Sequence, residues 1–349
     1  KNGQAHSNLG SILIDLGKSE EAEISTRKAI ELKPDLAEAH SNLGIVLKDI
    51  GNLQEAEVST RKAIELNPTF ADAHYNLGNI LRQLGNLQDA ELSTRKAIEL
   101  NPDLASCYQN LSLLLFAKGK IQGAIENIEK AFSIDPASKD NQLLIKILKG
   151  KEHPEISNHI YFGINKEESF YSPIILKKSI DPELINSLYK IKSLDLNKFL
   201  DPSFGNARGS DYKLFNDNEQ ITKVVEKDLT SITKEVVNSN VFFRDSFFTI
   251  LSGNSTIAKH NHIGYIDKFP ALNLWKRKYS LVYYLSVGDQ TCKHPGILKF
   301  YKDKYEINSN KEILPSEGMI VIFPADRYHS VQYDGKKDRI IIGVNFYSI

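Results

Sequence analysis

Three histidines have the spacing of a metal site. His260 and His262 form an H-x-H pair directly after a predicted strand, and side-chain alternation along an extended chain places both imidazoles on one side. His329 follows the next-to-last predicted strand. Two ligands from one strand and a third from a distant strand can hold a metal ion on one face and leave its other positions open. The pattern therefore predicts a metal centre in the second half of the chain.

An arginine stands where a charge is costly. Arg339 lies ten residues after His329, at the start of an otherwise apolar predicted strand. A guanidinium in such a place indicates an anionic partner. Other catalytic patterns are missing, because the sequence has no glycine-rich phosphate loop, no G-x-S-x-G motif and no arrangement of Cys107 or Cys292 that suggests a nucleophile.

Short segments rich in Val, Ile, Phe and Tyr must position these residues. They begin at Val241, Lys278, Gly296, Gly318 and Asp338. The turn clusters between them are typical of a β-sandwich or jelly roll. Two helical patterns precede them, at about 181–195 and 218–238. We therefore expect residues 151–349 to form one jelly-roll domain with flanking helices.

The order of these motifs resembles the Fe(II)- and 2-oxoglutarate-dependent oxygenases, and more closely their bacterial branch with an H-x-H sequence. The resemblance covers about residues 240–349 and rests on HNHIG, YSLVYYLSV, GILKFY, GMIVIFPADRYHSV and the final R-x5-NF. It implies a double-stranded β-helix with Fe(II), 2-oxoglutarate and O2 as cofactor and cosubstrates. The implied metal ligands are His260, His262 and His329.

The resemblance also implies how the cosubstrate binds. Arg339 would pair with the distal carboxylate of 2-oxoglutarate, and Tyr283 and Asn345 are further candidates for contacting it. The wider superfamily uses H-x-D/E, whereas this chain has His262 in place of the carboxylate. Asp267, five residues later, is therefore an alternative ligand, and the choice between Fe(II) and Zn(II) stays open.

The first part of the chain repeats itself at a constant step of 34 residues. Copies of one segment begin at Ala5, Ala39, Ala73 and, more weakly, Cys107. Each continues into a second helical pattern that ends at a proline. The pattern resembles the tetratricopeptide repeat, with repeats at about 3–36, 37–70, 71–104 and 105–138 and a capping helix at 139–150. The expected fold is therefore multidomain α plus β, with an α-solenoid in residues 1–150.

Stacked helix pairs form a concave groove that commonly holds a peptide or protein segment. Four asparagines recur at the expected groove-lining position, namely Asn8, Asn42, Asn76 and Asn110. Their amides either bind an extended peptide or form hydrogen bonds within the repeats, and the sequence favours neither interpretation. The expected partner is a peptide or protein.

Charge and composition exclude several classes of partner. The chain has 44 basic and 44 acidic residues and no net charge, so no global field attracts nucleic acid or an anionic membrane. No apolar run approaches the roughly 20 residues of a membrane span. The two cysteines are far apart and follow no metal-binding spacing, which favours reduced thiols and a cytoplasmic location.

A peptide-binding array and an iron site on one chain predict a dioxygenase that hydroxylates a peptide or protein held by the repeat groove. Two alternatives remain open at this level. The first is a small-molecule hydroxylase whose repeats serve assembly. The second is a non-catalytic repeat scaffold with a metal-binding jelly roll.

Overall fold

A computed structural model describes residues 2–152, 173–196, 206–216, 219–264, 266–269 and 272–349. The chain divides into two compact units, Lys1–Ser157 and Asn158–Ile349. The sequence predicts a boundary at residue 150, and the observed division lies a few residues after it. None of the described helices is long and apolar enough to cross a membrane.

Within residues 2–152 nine helices follow one another. They are α1 Gly3–Asp15, α2 Ser19–Leu32, α3 Ala37–Asp49, α4 Leu53–Leu66, α5 Ala71–Gln83, α6 Leu87–Leu100, α7 Ala105–Ala117, α8 Ile121–Ile134 and α9 Lys139–Glu152. The first helix of each pair ends before a glycine with positive φ, and these are Gly17, Gly51, Gly85 and Gly119. Glycine adopts this left-handed conformation without strain, so the chain can reverse into the second helix.

Small residues let the two helices of a pair approach closely. Ala56 is fully buried where α3 and α4 cross, and a Cβ atom on Gly44 would lie 2.1 Å from Oγ1 of Thr60. In the fourth repeat Ser112 replaces the glycine, and its hydroxyl donates a hydrogen bond to Ala124 O (2.6 Å). The repeating small positions are therefore packing positions, which explains why they recur at the same step as the helices.

The second unit contains two α-helices and two antiparallel sheets in its described part. The elements are β1 Ile174–Lys177, α10 Pro182–Lys190, β2 Leu194–Asp195, β3 Arg208–Gly209, α11 Gln220–Val237, β4 Val241–Leu251, β5 Ser255–His260, β6 Lys278–Val287, β7 Leu298–Tyr301, β8 Lys311–Ile313, β9 Met319–Pro324, β10 Tyr328–Tyr333 and β11 Arg339–Ser348, with short 3-10 helices at Leu214–Asn216, Ile266–Lys268 and Leu274–Arg277. The strand orders are β1-β9-β6-β11-β4-β3-β2 and β5-β10-β7-β8.

The helix predicted at 181–195 is shorter than expected. The carboxylate of Asp181 accepts a hydrogen bond from the N–H of Glu183 and caps α10, with Pro182 in the first turn. The helix ends at Lys190, and residues 194–195 form β2 instead. The second predicted helix begins at Gln220, and residues 217–218 lie outside the described part.

Alternating side chains give the seven-stranded sheet two different faces. On β11, Ile340 and Ile342 belong to a buried cluster with Leu229 of α11, so the helices cover one face. Between them Ile341 belongs to a second cluster with Val331 of the four-stranded sheet. Residues of β11 with odd numbers therefore face the other sheet, and the candidate site lies on that side.

Candidate metal centre

The three predicted ligand histidines come together in the structure. His260 ends β5, and His329 is its direct partner across the β5–β10 pairing. His262 lies two residues beyond the strand, where its N–H donates a hydrogen bond to Ala325 O (2.8 Å). One potential ligand nitrogen from each ring lies within 4.8 Å of the other two. A single metal ion can therefore reach all three imidazoles.

Backbone carbonyls orient two of the rings. Nδ1 of His260 lies 2.8 Å from Ala258 O, and Nδ1 of His329 lies 3.1 Å from Arg327 O. When Nδ1 carries the proton and donates to the carbonyl, Nε2 keeps its lone pair. Metal-binding histidines commonly use one nitrogen for such a hydrogen bond and the other for the ion.

Burial keeps the cluster uncharged near neutral pH. Removal from water lowers the pKa of His329 to about 3, with a smaller contribution from His260. Burial is also the main cause that lowers the pKa of His260 and, further, that of His262. A desolvated imidazole disfavours its charged form, so all three rings are neutral and can offer lone pairs.

Asp267, the alternative ligand from the sequence, lies outside the histidine cluster. The ligand cluster contains the three histidines alone among the described residues. Oδ2 of Asp267 accepts hydrogen bonds from the Gly264 N–H (2.6 Å) and from Lys278 (2.8 Å). Oδ1 accepts one from the Tyr347 hydroxyl (2.6 Å). Because three donors already satisfy this carboxylate, it stays in its own buried network.

The histidines and Arg339 line one cavity of about 410 Å³. Arg339 is only 1 % exposed. One of its terminal nitrogens donates to Gly296 O, while its Nε has no hydrogen-bond partner within the described ranges. Among the described residues no carboxylate pairs with it, and burial lowers the pKa of the guanidinium. A buried charge without a counter-ion favours an anionic ligand in the cavity.

Tyr284, and not Tyr283, faces this cavity. The Tyr283 hydroxyl donates to Ser179 O (2.9 Å), and its ring lies in the cluster beneath the helices. The Tyr284 ring lies 5.1 Å from the guanidinium carbon of Arg339, and its buried hydroxyl has no hydrogen-bond partner among the described residues. Adjacent residues of a strand point to opposite faces, so the structure places Tyr284 at the cavity and the predicted Tyr283 on the opposite face.

Asn345 does line the cavity, where Oδ1 accepts a hydrogen bond from the Ser280 hydroxyl (2.8 Å). The sequence analysis missed Gly296. Its φ is +78°, and a Cβ atom there would lie 1.4 Å from the Nη1 atom of Arg339. Only glycine fits this place, and the signal was the glycine that opens the GILKFY segment.

The repeat asparagines mostly form hydrogen bonds inside the array. Asn110 is buried, accepts a hydrogen bond from Arg82 Nε (3.0 Å) and donates one to Thr94 Oγ1 (3.1 Å). It therefore cannot contact a peptide, and its prediction as a groove residue is wrong. Hydrogen bonds also join Asn42 to Ser7 O (3.2 Å) and Asn76 to Ser41 Oγ (3.2 Å). Asn8 is exposed and accepts a hydrogen bond from Gln4 (3.1 Å).

Comparisons with known proteins identify the first unit. Tetratricopeptide repeat families match residues 37–70 and 71–104 and residues 3–36 and 105–138. No curated protein matches the chain.

Several solved structures are similar to part of the chain. PilF of Pseudomonas aeruginosa is 26% identical, with 44% of this chain and 69% of that chain covered and a TM-score of 0.41. MamA is 30% identical, with 41% and 84% covered and a TM-score of 0.37. A thermophilic tetratricopeptide repeat protein of Thermus thermophilus is 20% identical, with 43% and 82% covered and a TM-score of 0.39. The family matches show that residues 3–138 consist of tetratricopeptide repeats.

Proposed function

We propose that this chain is an Fe(II)- and 2-oxoglutarate-dependent dioxygenase that hydroxylates a peptide or protein held by its repeat groove. One observation carries the proposal: a neutral cluster of three imidazoles shares a cavity with a buried guanidinium that no carboxylate of the described residues neutralises. Imidazole lone pairs suit a divalent transition metal. A guanidinium suits a carboxylate, which it can bind through two parallel hydrogen bonds. A dicarboxylate that chelates a metal with one end would use both features.

The proposed fold of the second unit is a double-stranded β-helix. Its support is the pair of antiparallel sheets with an apolar cluster between them. Such a fold brings strands that are distant in sequence side by side, as with His260 and His329. It leaves the mouth between the sheets for ligands.

The three histidines fit a divalent metal ion, and they do not neutralise its charge. Three neutral imidazoles leave the ion its full positive charge, which favours anionic ligands at the remaining coordination positions. Bound Fe(II) would supply the activation of O2 for oxidation of a C–H bond. The balanced reaction converts 2-oxoglutarate, O2 and a substrate C–H group into succinate, CO2 and the hydroxylated product.

The chain's own residues bind and orient the reactants. Arg339 pairs with the distal carboxylate of 2-oxoglutarate, and the Tyr284 hydroxyl donates a hydrogen bond to the same group. Gly296 O accepts a hydrogen bond from the guanidinium and so orients it. The apolar side chains of Leu298 and Ile341 line the cavity, exclude water and strengthen the electrostatic interactions inside it.

The proposed role of the repeats is substrate binding. Tetratricopeptide arrays bind peptide or protein segments along their concave side. Of the asparagines expected to line this side, Asn8 is exposed, and an exposed amide can recognise an extended backbone through hydrogen bonds.

Turnover of 2-oxoglutarate tests the proposal. Protein purified without oxygen and given Fe(II), 2-oxoglutarate and air should form succinate even without its substrate, at a slow uncoupled rate. His329→Ala should reduce succinate formation at least 100-fold, because it removes a metal ligand. His294→Ala is the matched control, since His294 pairs with Asp334 outside the cavity. Equal succinate formation by wild type and His329→Ala would refute the assignment.

A second candidate is a Zn(II) site in a non-catalytic scaffold. The observation that favours it is the absence of a carboxylate from the described ligand cluster, since three histidines are also a donor set of zinc proteins. Metal analysis of the purified chain and calorimetry with 2-oxoglutarate separate the two. Bound zinc without any affinity for 2-oxoglutarate would favour the scaffold.

A further inference from the structure

We propose that Asp267, Lys278 and Tyr347 form a positioning network that holds His262 in its metal-binding place. The inference rests on the metal site of the proposed function and extends it beyond the ligands. Asp267 and Lys278 form a buried ion pair with N–O distance 2.8 Å, and their side chains are 1 % and 2 % exposed. The reaction itself uses none of these three residues, so their burial needs another explanation.

His262 is the ligand with the least support from regular structure. β5 ends at His260, and β10 directly pairs with that residue. His262 lies beyond the strand, on the segment that leads to the 3-10 helix Ile266–Lys268. Other contacts must therefore fix the distance from His262 to the other two ligands.

The first contact runs through the carboxylate of Asp267. It accepts a hydrogen bond from the N–H of Gly264, two residues after His262 (2.6 Å). The same carboxylate is held by Lys278 at the start of β6 and by the Tyr347 hydroxyl on β11 (2.8 and 2.6 Å). Because Lys278 and Tyr347 are register partners in the central sheet, the chain after His262 is tied to rigid strands.

The second contact starts from the backbone of the same lysine. Lys278 O accepts a hydrogen bond from the N–H of Ala325 (3.0 Å), and Ala325 O accepts one from the N–H of His262 (2.8 Å). Both routes therefore connect Lys278 to the His262 segment. One begins at its ammonium group and the other at its carbonyl.

Stability alone does not explain a buried ion pair. Taking two charges out of water is costly, and apolar side chains of similar volume often stabilise a fold as well. A satisfied polar network does specify a single geometry, since each donor and acceptor has one place. The network thus fits a role in fixing the position of His262. It also accounts for the place of this carboxylate outside the histidine cluster.

Cobalt binding to the full-length chain tests the inference without relying on turnover. Tyr347→Phe removes one hydroxyl from the network, and Asp267→Asn removes its charge. Tyr333→Phe is the matched control, since it removes the hydroxyl of another buried tyrosine, whose partners are the Asp289 N–H and Lys337 O. Melting temperatures of all variants report on stability separately.

We expect both network variants to weaken Co(II) affinity at least tenfold and to change the visible absorption spectrum of the bound ion. Tyr333→Phe should keep the Co(II) affinity within twofold of wild type and leave the absorption spectrum of the bound ion unchanged. This should hold even if its melting temperature falls as far as those of the network variants. Wild-type affinity in a folded Tyr347→Phe or Asp267→Asn protein would overturn the inference, and so would a wild-type chain that binds no cobalt. A chain that binds cobalt as expected but never forms succinate with Fe(II) would refute the proposed function alone.

Discussion

At the scale of residues, the cavity joins two groups that need a ligand. The imidazole cluster offers neutral lone pairs because burial lowers the pKa of each ring. Arg339 Nε and the Tyr284 hydroxyl are buried without hydrogen-bond partners in the part of the chain that the structure describes. Buried polar atoms without partners are rare and costly. A carboxylate beside Arg339 would satisfy both, which is why we assign this end of the cavity to the cosubstrate.

The two adjacent tyrosines provide the first prediction. Tyr284→Phe should weaken 2-oxoglutarate binding tenfold or more, because a hydrogen bond to a charged group contributes about 1.5–3 kcal/mol. Tyr283→Phe should leave this affinity unchanged and lower the free energy of unfolding by about 1 kcal/mol, through loss of the bond to Ser179 O. Calorimetry and chemical denaturation measure the two effects. The reverse pattern would mean that Tyr283 contacts the cosubstrate after all.

The second prediction concerns Gly296. Gly296→Ala should weaken 2-oxoglutarate binding by an order of magnitude or more, because its Cβ atom would displace the guanidinium of Arg339. Gly318→Ala is the control, since both glycines have a φ of +78° and only Gly296 contacts Arg339. Both variants should lose about 1–2 kcal/mol of stability from backbone strain, and Gly318→Ala should lose more because its Cβ atom would contact Lys178 O. Equal cosubstrate affinity in the two variants would contradict the role of Gly296.

At the scale of elements, the repeats were predictable because one pattern recurs at a fixed step. Each repeat has to bury the same small residues where its two helices cross. The structure of one helix pair therefore predicts that of the other repeats. The asparagines show the limit of this reasoning. A helix position can face a groove or a neighbouring helix, and the hydrogen bonds of Asn110 with Arg82 and Thr94 depend on packing that the sequence does not reveal.

The strands were harder to interpret than the repeats. Segments rich in β-branched and aromatic residues predicted the long strands β4, β6, β9 and β11, but not the two-residue strands β2 and β3. The H-x-H pair, His329 and Arg339 were found from their residue types and spacing, although His329 lies within β10, a strand that the sequence did not predict. Tyr283 was misassigned because both faces of β6 are buried, so hydropathy does not mark the cavity side. The role of Asp267 depends on Lys278 and Tyr347, which are distant in sequence.

A third prediction concerns α7 in the repeat array. Burial raises the pKa of Cys107 from 9.0 to about 12. The folded state therefore favours the neutral thiol, and this contribution to stability is complete below pH 9 and lost as pH rises toward 12. The loss is about 1.4 kcal/mol per pH unit.

Denaturation of the repeat array between pH 8 and about pH 11 measures this dependence. Cys107→Ala is the matched variant, because alanine occupies the equivalent place as Ala5, Ala39 and Ala73. Its free energy of unfolding should fall less steeply with pH than that of wild type. Parallel curves would show that the thiol does not titrate as expected.

At the scale of the whole molecule, we assign separate functions to the two units. The chain's zero net charge averages an α-helical array and an antiparallel β-rich unit. Every described residue that lines the candidate cavity belongs to the second unit, Asn158–Ile349. Chemistry is therefore assigned to this unit and substrate binding to the repeats.

This division gives a fourth prediction. A chain that lacks residues 1–138 should bind Co(II) and 2-oxoglutarate with affinities within about threefold of the full-length values, because it retains the whole cavity. Circular dichroism should first establish that the shortened chain is folded. Loss of both ligands by a folded shortened chain would show that the repeats complete the site.

The fate of O2 tests the central claim most directly. Wild-type protein with Fe(II), 2-oxoglutarate and isotopically labelled O2 should produce succinate that contains a single labelled oxygen atom, since oxidative decarboxylation inserts one atom of O2 into the new carboxylate. The His329→Ala and Arg339→Gln variants should form little succinate under the same conditions, while His294→Ala should match wild type. Mass spectrometry of the succinate reads the label. Unlabelled succinate, or labelled succinate formed equally by His329→Ala, would contradict an oxygenase at this site.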